Sequence, residues 1–252
     1  MVCDTVLCKT TQGITHITLN RPATGNSLNA RMSQELITVL TRVRQGEDVK
    51  VVIISGAGDT FCVGDESPPV SGITEYNTTS PATVIAGLDC PVIAAINGNA
   101  FGSGLELALA CDIRIASDKA LLALPQINTG LMPCDGGTQR LPRLIGRTRA
   151  MEMILLGEPV SADEAYRIGL VNRVVSVEEL SDVVNELALG ITFSAPLALK
   201  FAKETIDQGM EMTLEQGLRL EADLYSLLQT TEDRTEGITA FKTKKRPEFK
   251  GK

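Results

Sequence analysis

The chain has 252 residues, the upper end of what one domain holds, and its 43% hydrophobic and 22% charged residues describe a globular protein with a sizeable core. A formal net charge of −7 argues against a nucleic-acid-binding surface, and no apolar run reaches the roughly 18 to 20 residues of a membrane helix. The start, MVCDTVLCKT, has neither the basic nor the apolar region of a secretory signal, so a cytoplasmic protein without membrane contact is expected.

In TVLCKTTQGITHITLN, Ile14, Ile17 and Leu19 alternate around a turn at Gly13, which predicts a hairpin with His16 at a solvated strand position. Leu28, Met32, Leu36, Leu40 and Val43 then recur at helical spacing until Gly46, and VKVVIISGAG follows as a buried β-branched strand. The stretch DTFCVGDESPPVSGITEYNTTSPATV, rich in Gly, Pro, Ser and Thr, predicts loop with at most a short helix. PVIAAING repeats the strand-and-turn pattern, GSGLELALACD opens a helix, and DIRIAS returns to a strand. From Thr138 onward the periodicity predicts helices, one of them capped by Ser161 with Glu164 three residues on. The organisation expected is a core over residues 1–190 continuous with a helical region over 191–252.

Six scattered cysteines without CxxC pairs, and a single histidine, leave no metal-ligand spacing. Reduced thiols and no metal are expected, and chemistry falls to carboxylates and backbone groups. Glu106 is the one acid on an otherwise apolar helix opened by GNAFGSG. The glycines there fit a helix start that binds an anion, or simply a tight, well-packed turn; beside FCVGD, the two loops can each aim one N–H at a single oxygen. The last twelve residues, FKTKKRPEFKGK, carry six basic residues and one acid on an acidic body, which suits a small phosphorylated ligand or a solvated tail.

Taken together, FCVGD, CPVIAAINGNAFGSGLELALACDIRIAS, LMPCDGGTQRLPRLIGRTRAMEMILLGEPVSADEAYRIGLVNRVV and TEDRTEGITAFKTKKRPEF resemble the enoyl-CoA hydratase/isomerase, or crotonase, family over nearly the whole chain, in order. The resemblance implies an α/β fold, a crotonase-like spiral of ββα units with a C-terminal helical trimerisation region, assembled as a homotrimer or hexamer. It implies a thioester substrate carried on coenzyme A or an acyl-carrier protein, no separate cofactor, and stabilisation of an enolate. The implied oxyanion-hole amides are those of Asp65 and Ser103, with Cys62, Gly64 and Gly102 lining the substrate beside them. Tyr225, Phe241 and Lys244 fall at positions that help bind coenzyme A, partly across a subunit interface.

Hydratases of the family use two glutamates around one water; Glu106 matches the first, but LALPQI puts Gln126 at the second, and an amide cannot exchange a proton. Asp135, in the loop where some relatives carry a catalytic aspartate, is either a compensating acid or an N-cap for the next helix. Cys134 beside it lacks an obvious base to activate it. The 61–91 segment is also about ten residues shorter than the family pattern, which implies a changed acyl pocket or a tolerated loop deletion. Enoyl-CoA hydration or dehydration is the leading expectation; isomerisation, decarboxylation, C–C hydrolysis and a non-catalytic coenzyme A-binding role are the alternatives.

Overall fold

A computed structural model describes residues 4–46, 48–66 and 80–252, so the middle of the shortened 61–91 segment lies outside the described residues. Strands β1 (Val6–Thr11) and β2 (Ile14–Leu19) form the expected hairpin. Gln12 and Gly13 both take positive φ, 53° and 78°, the turn geometry that matches strand twist. His16 is half-buried rather than solvated, and burial together with Lys9 opposite holds its imidazole below the ordinary pKa.

Helix α1 (Ala30–Gln45) starts where the Asn29 side chain accepts the Met32 N–H and stops at Gly46; its predicted stripe, Met32, Leu36, Leu40 and Val43, is buried. Then come β3 (Val51–Gly56), the short α2 (Pro81–Ala86), β4 (Val92–Ile96), β5 (Ala100–Phe101), α3 (Ser103–Leu109), β6 (Ile113–Ser117) and β7 (Leu121–Ala123). The remainder comprises α4 (Gly137–Ile145), α5 (Arg147–Leu156), β8 (Val160–Ser161), α6 (Ala162–Arg167), β9 (Arg173–Val175), α7 (Leu180–Thr192), α8 (Pro196–Gly209), α9 (Leu214–Leu228) and α10 (Glu232–Thr243). The expectation of helices alone after Thr138 is therefore corrected by β8 and β9. Both are too short to show a period, and pairing with distant strands makes them.

The main sheet runs β1-β2-β3-β4-β6-β9, antiparallel only between β1 and β2, while β5-β7-β8 form a small second sheet. Alternation sorts the strands' side chains: Val52, Ile54, Ala94 and Ile96 share a core with α1, whereas Val51, Ile53, Ile93 and Ala95 meet Leu180, Val184 and Ala188 of α7. Helices thus cover both faces, as a parallel sheet requires. The basic C-terminal stretch is not a free tail. The buried Asp233 carboxylate accepts the Lys250 and Gly251 N–H groups at 2.7 and 2.9 Å, and the Arg246 guanidinium lies over the Phe193 ring.

Because β3 and β4 are parallel neighbours, the segments leaving their C-terminal ends run side by side. Cys62 N–H donates to Asn99 O (3.0 Å) and Phe101 N–H to Cys62 O (2.9 Å). A Cβ on Gly104 would sit 2.2 Å from that same Cys62 oxygen, so only glycine lets α3 start this close. Gly104→Ala is expected to lower stability by about 3 kcal/mol, as overpacking against backbone does, or to prevent folding. Thermal unfolding checks this, and a midpoint within a degree of the parent would contradict it.

Candidate active site

Glu106 lies one turn into α3 and is completely buried, a position a carboxylate tolerates only with hydrogen-bond donors around it. Its Oε1 accepts the Asp135 and Gly137 N–H groups at 2.7 and 2.8 Å, and its Oε2 accepts from Gln126 Nε2 at 3.1 Å. Oε1 is thereby saturated, and Oε2 keeps a lone pair. Burial, only partly opposed by those N–H groups and reinforced by the nearby Asp135 and Asp65 carboxylates, pushes the Glu106 pKa up to about 7. A carboxyl group poised there can take or give a proton near neutral pH.

Asp65 and Ser103 meet at the ends of the two paired segments, where Ser103 Oγ donates to Asp65 Oδ2 at 2.5 Å. Leu28 bridges Asp65 by taking Gly64 O and giving its own carbonyl to Glu66 N–H, so the Asp65 N–H between them faces the opposite way. Ser103 opens α3, so its N–H has no acceptor within the helix. Gly64 (φ +97°) and Gly102 (φ +53°) make the turns, and a Cβ added to Gly102 would lie 3.8 Å from Gly64 Cα and 3.7 Å from Gln126 Nε2. Asp65 is open to solvent on one side, yet its carboxyl lies above the ordinary pKa; neighbouring atoms displace its water and Asp135 repels it, against the Ser103 bond. Cys62 is wholly buried, both its backbone groups are engaged in the ladder, and burial pushes its thiol up to about 12.

Asp135 does not cap α4: Gly136 holds the N-cap position with no side-chain bond, and the Asp135 carbonyl instead accepts from Arg140 Nη1 at 2.9 Å. What Asp135 gives Glu106 is its backbone N–H. Burial and the surrounding carboxylates raise the exposed Cys134 thiol, the opposite of what a nucleophile needs. Gln126 Oε1 is buried with no partner among the described residues. Turned over, the carboxamide would let Oε1 accept from a protonated Glu106, but Nε2 would then take the position that has no partner among the described residues. These groups lie apart from the open hollow of about 620 Å³ lined by Val6, Leu7, Val39 and Val43 between β1 and α1.

The sequence profile described as Enoyl-CoA hydratase/isomerase matches residues 9–252. An (E)-benzylidenesuccinyl-CoA hydratase of Thauera aromatica is 40% identical over 94% of this chain and 96% of its own. A short-chain-enoyl-CoA hydratase of Clostridium acetobutylicum is 38% identical over 92% of each. The crystal structure of an enoyl-CoA hydratase from Bacillus anthracis superposes with a TM-score of 0.91 at 40% identity, covering 98% of this chain and 100% of that one.

The chain belongs to the enoyl-CoA hydratase/isomerase family. Its α/β architecture is accordingly the crotonase-type fold that the motifs implied. Within this family member, Glu106, Gln126, Asp135, Asp65, Ser103, Gly64 and Gly102 gather in one place, with Cys62 beneath them. Tyr225, Phe241 and Lys244 stand on the C-terminal helices, outside the hydrogen bonds and close contacts of that group, with Phe241 87% exposed and Lys244 at the left-handed C-cap of α10. The sequence reading missed Gly137, whose N–H holds Glu106 and whose added Cβ would lie 3.0 Å from Glu106 Oε1. The Gly-Gly pair after Asp135 was the available signal.

A carboxyl with a pKa of about 7 when folded and 4.5 ordinarily binds its proton more tightly in the folded chain. Its contribution is fully present below pH 4.5 and is lost as pH rises through 7. Glu106→Gln does not titrate, so its stability relative to the parent should rise by about 3 kcal/mol between pH 4.5 and 8. Denaturant unfolding of both proteins across that range measures it; a pH-independent difference would remove the buried-acid assignment.

Proposed function

We propose that the protein adds water to the double bond of a 2-enoyl-CoA thioester, and removes it in reverse, with Glu106 as the proton carrier. The observation that carries this reading is the buried Glu106 carboxyl, poised at about 7 with one lone pair of Oε2 unused. The naming of its 38–40% identical relatives as a short-chain-enoyl-CoA hydratase and an (E)-benzylidenesuccinyl-CoA hydratase supports the substrate class.

In this mechanism the thioester oxygen accepts the Asp65 and Ser103 N–H groups, which stabilise the enolate as charge moves onto it. Glu106 Oε2 takes a proton from water while the hydroxyl oxygen bonds to the β carbon. The same carboxyl then delivers that proton to the α carbon, so one water is added and Glu106 returns ionised. Gln126 orients Glu106 through its amide and carries no proton. The reaction as proposed needs no cofactor beyond the coenzyme A of the substrate. Gln126 also favours a second reading, double-bond isomerisation, because one proton carrier suffices for it.

The proposed assembly is a trimer or a pair of trimers. Apolar side chains on α8, its C-cap and α9, among them Ile206, Met210, Leu214 and Leu218, are exposed in the single chain, and a partner would cover them. Tyr225, Phe241 and Lys244 are proposed to meet coenzyme A near that interface, with Lys244 as a salt-screened contact to phosphate.

Glu106→Gln should fold, bind coenzyme A thioesters and lose at least about a hundredfold in turnover. Gln126→Glu should raise hydration relative to isomerisation, read by mass spectrometry of enoyl-CoA products in ¹⁸O-labelled and deuterated water. Near-normal turnover of the first variant would remove Glu106 as proton carrier. Isomerised product without ¹⁸O incorporation in the parent would select the second reading.

A further inference from the structure

The hydrogen bonds around the two oxyanion segments divide in a way that isolates one side-chain contact. The segments at 62–65 and 99–103 are laddered together only as far as Phe101 N–H to Cys62 O. Beyond that rung they are held by different neighbours. Val63 N–H goes to Gly25 O at 3.0 Å, and Gly64 O and Glu66 N–H go to Leu28, at 2.7 and 2.9 Å. On the other segment, Gly102 N–H goes to Ala123 O at 2.9 Å. Among the described residues, the bond from Ser103 Oγ to Asp65 Oδ2 is the one hydrogen bond that crosses between them past the ladder.

We infer that Asp65 and Ser103 are positioning residues: their side chains tie together the two backbone N–H groups that receive the thioester oxygen, and so set the spacing of that pair. The inference rests on the oxyanion reading proposed above. It gives the unusual acid at position 65 a task that does not put its charge on the substrate. The Ser103 hydroxyl occupies Oδ2, and without that anchor one N–H follows Leu28 and the other follows Ala123. Preorganised donors lose much of their effect when displaced, and a misplacement of about 1 Å can cost on the order of a hundredfold.

The test uses butyryl-CoA labelled with ¹³C at the thioester carbonyl, a saturated ligand that cannot be hydrated. Infrared difference spectra report the carbonyl band, and mass spectrometry in deuterated water reports exchange of the α proton. The parent should shift the band to lower frequency on binding. Ser103→Ala and Asp65→Ala should each lose much of that shift and slow exchange between about ten- and a hundredfold, at similar thioester affinity, and the double variant should be no worse than either single one. Asp65→Asn, whose side-chain carbonyl still accepts from Ser103, should keep a band shift larger than that of Asp65→Ala. If the parent shows no shift, the oxyanion reading itself fails. If the parent shifts and both alanine variants shift equally, the oxyanion reading stands and the tie is overturned. Should one alanine variant not fold, the other, compared with Asp65→Asn, decides the question alone.

Discussion

The approach of the Cys62 carbonyl to Gly104 is the contact on which the site depends. It brings the segment leaving β3 against the start of α3 more closely than any side chain at 104 would allow. That approach follows from the parallel register of β3 and β4, which ends both strands at one edge of the sheet. An open α/β sheet places ligands at such an edge because the connecting loops are free to differ there, while the strands beneath are locked by packing. Here the locking comes from β-branched side chains alternating between two apolar layers, so a register slip would move every one of them to the wrong layer.

Glu106 shows the opposing demand. A carboxyl sealed in an apolar helix is held out of water, and three donors offset only part of that cost. The residual imbalance is what moves its pKa toward neutrality, so the proton affinity of Glu106 and its cost to the fold have one origin. Gln126 sharpens this. In place of a second acid it supplies a neutral donor to Glu106, which adds no further charge beside Glu106, Asp135 and Asp65.

Much of the fold was legible where a long element repeats its own period. The α1 stripe, the hairpin turn at Gly13, and the buried runs at 51–56 and 92–96 follow from local patterns. The two- and three-residue strands β5, β7, β8 and β9 were not legible, because partners far along the chain define them. The site divided the same way. Glu106, Asp65 and Ser103 could be placed from motifs, yet the bond between Asp65 and Ser103 and the second N–H on Glu106 join residues 38 and 31 positions apart. Asp135 illustrates the limit: the capping pattern was plausible, but Gly136 in the left-handed region ends the turn one residue later and turns the aspartate's backbone, not its side chain, toward Glu106.

The docking of the final residues onto Asp233 bears on how the protein can be handled. That carboxylate is 4% exposed and draws two of its donors from Lys250 and Gly251, so the chain end serves as a plug for the first turn of α10. Trimming those residues would strand a buried anion at the base of the helix that carries Phe241 and Lys244.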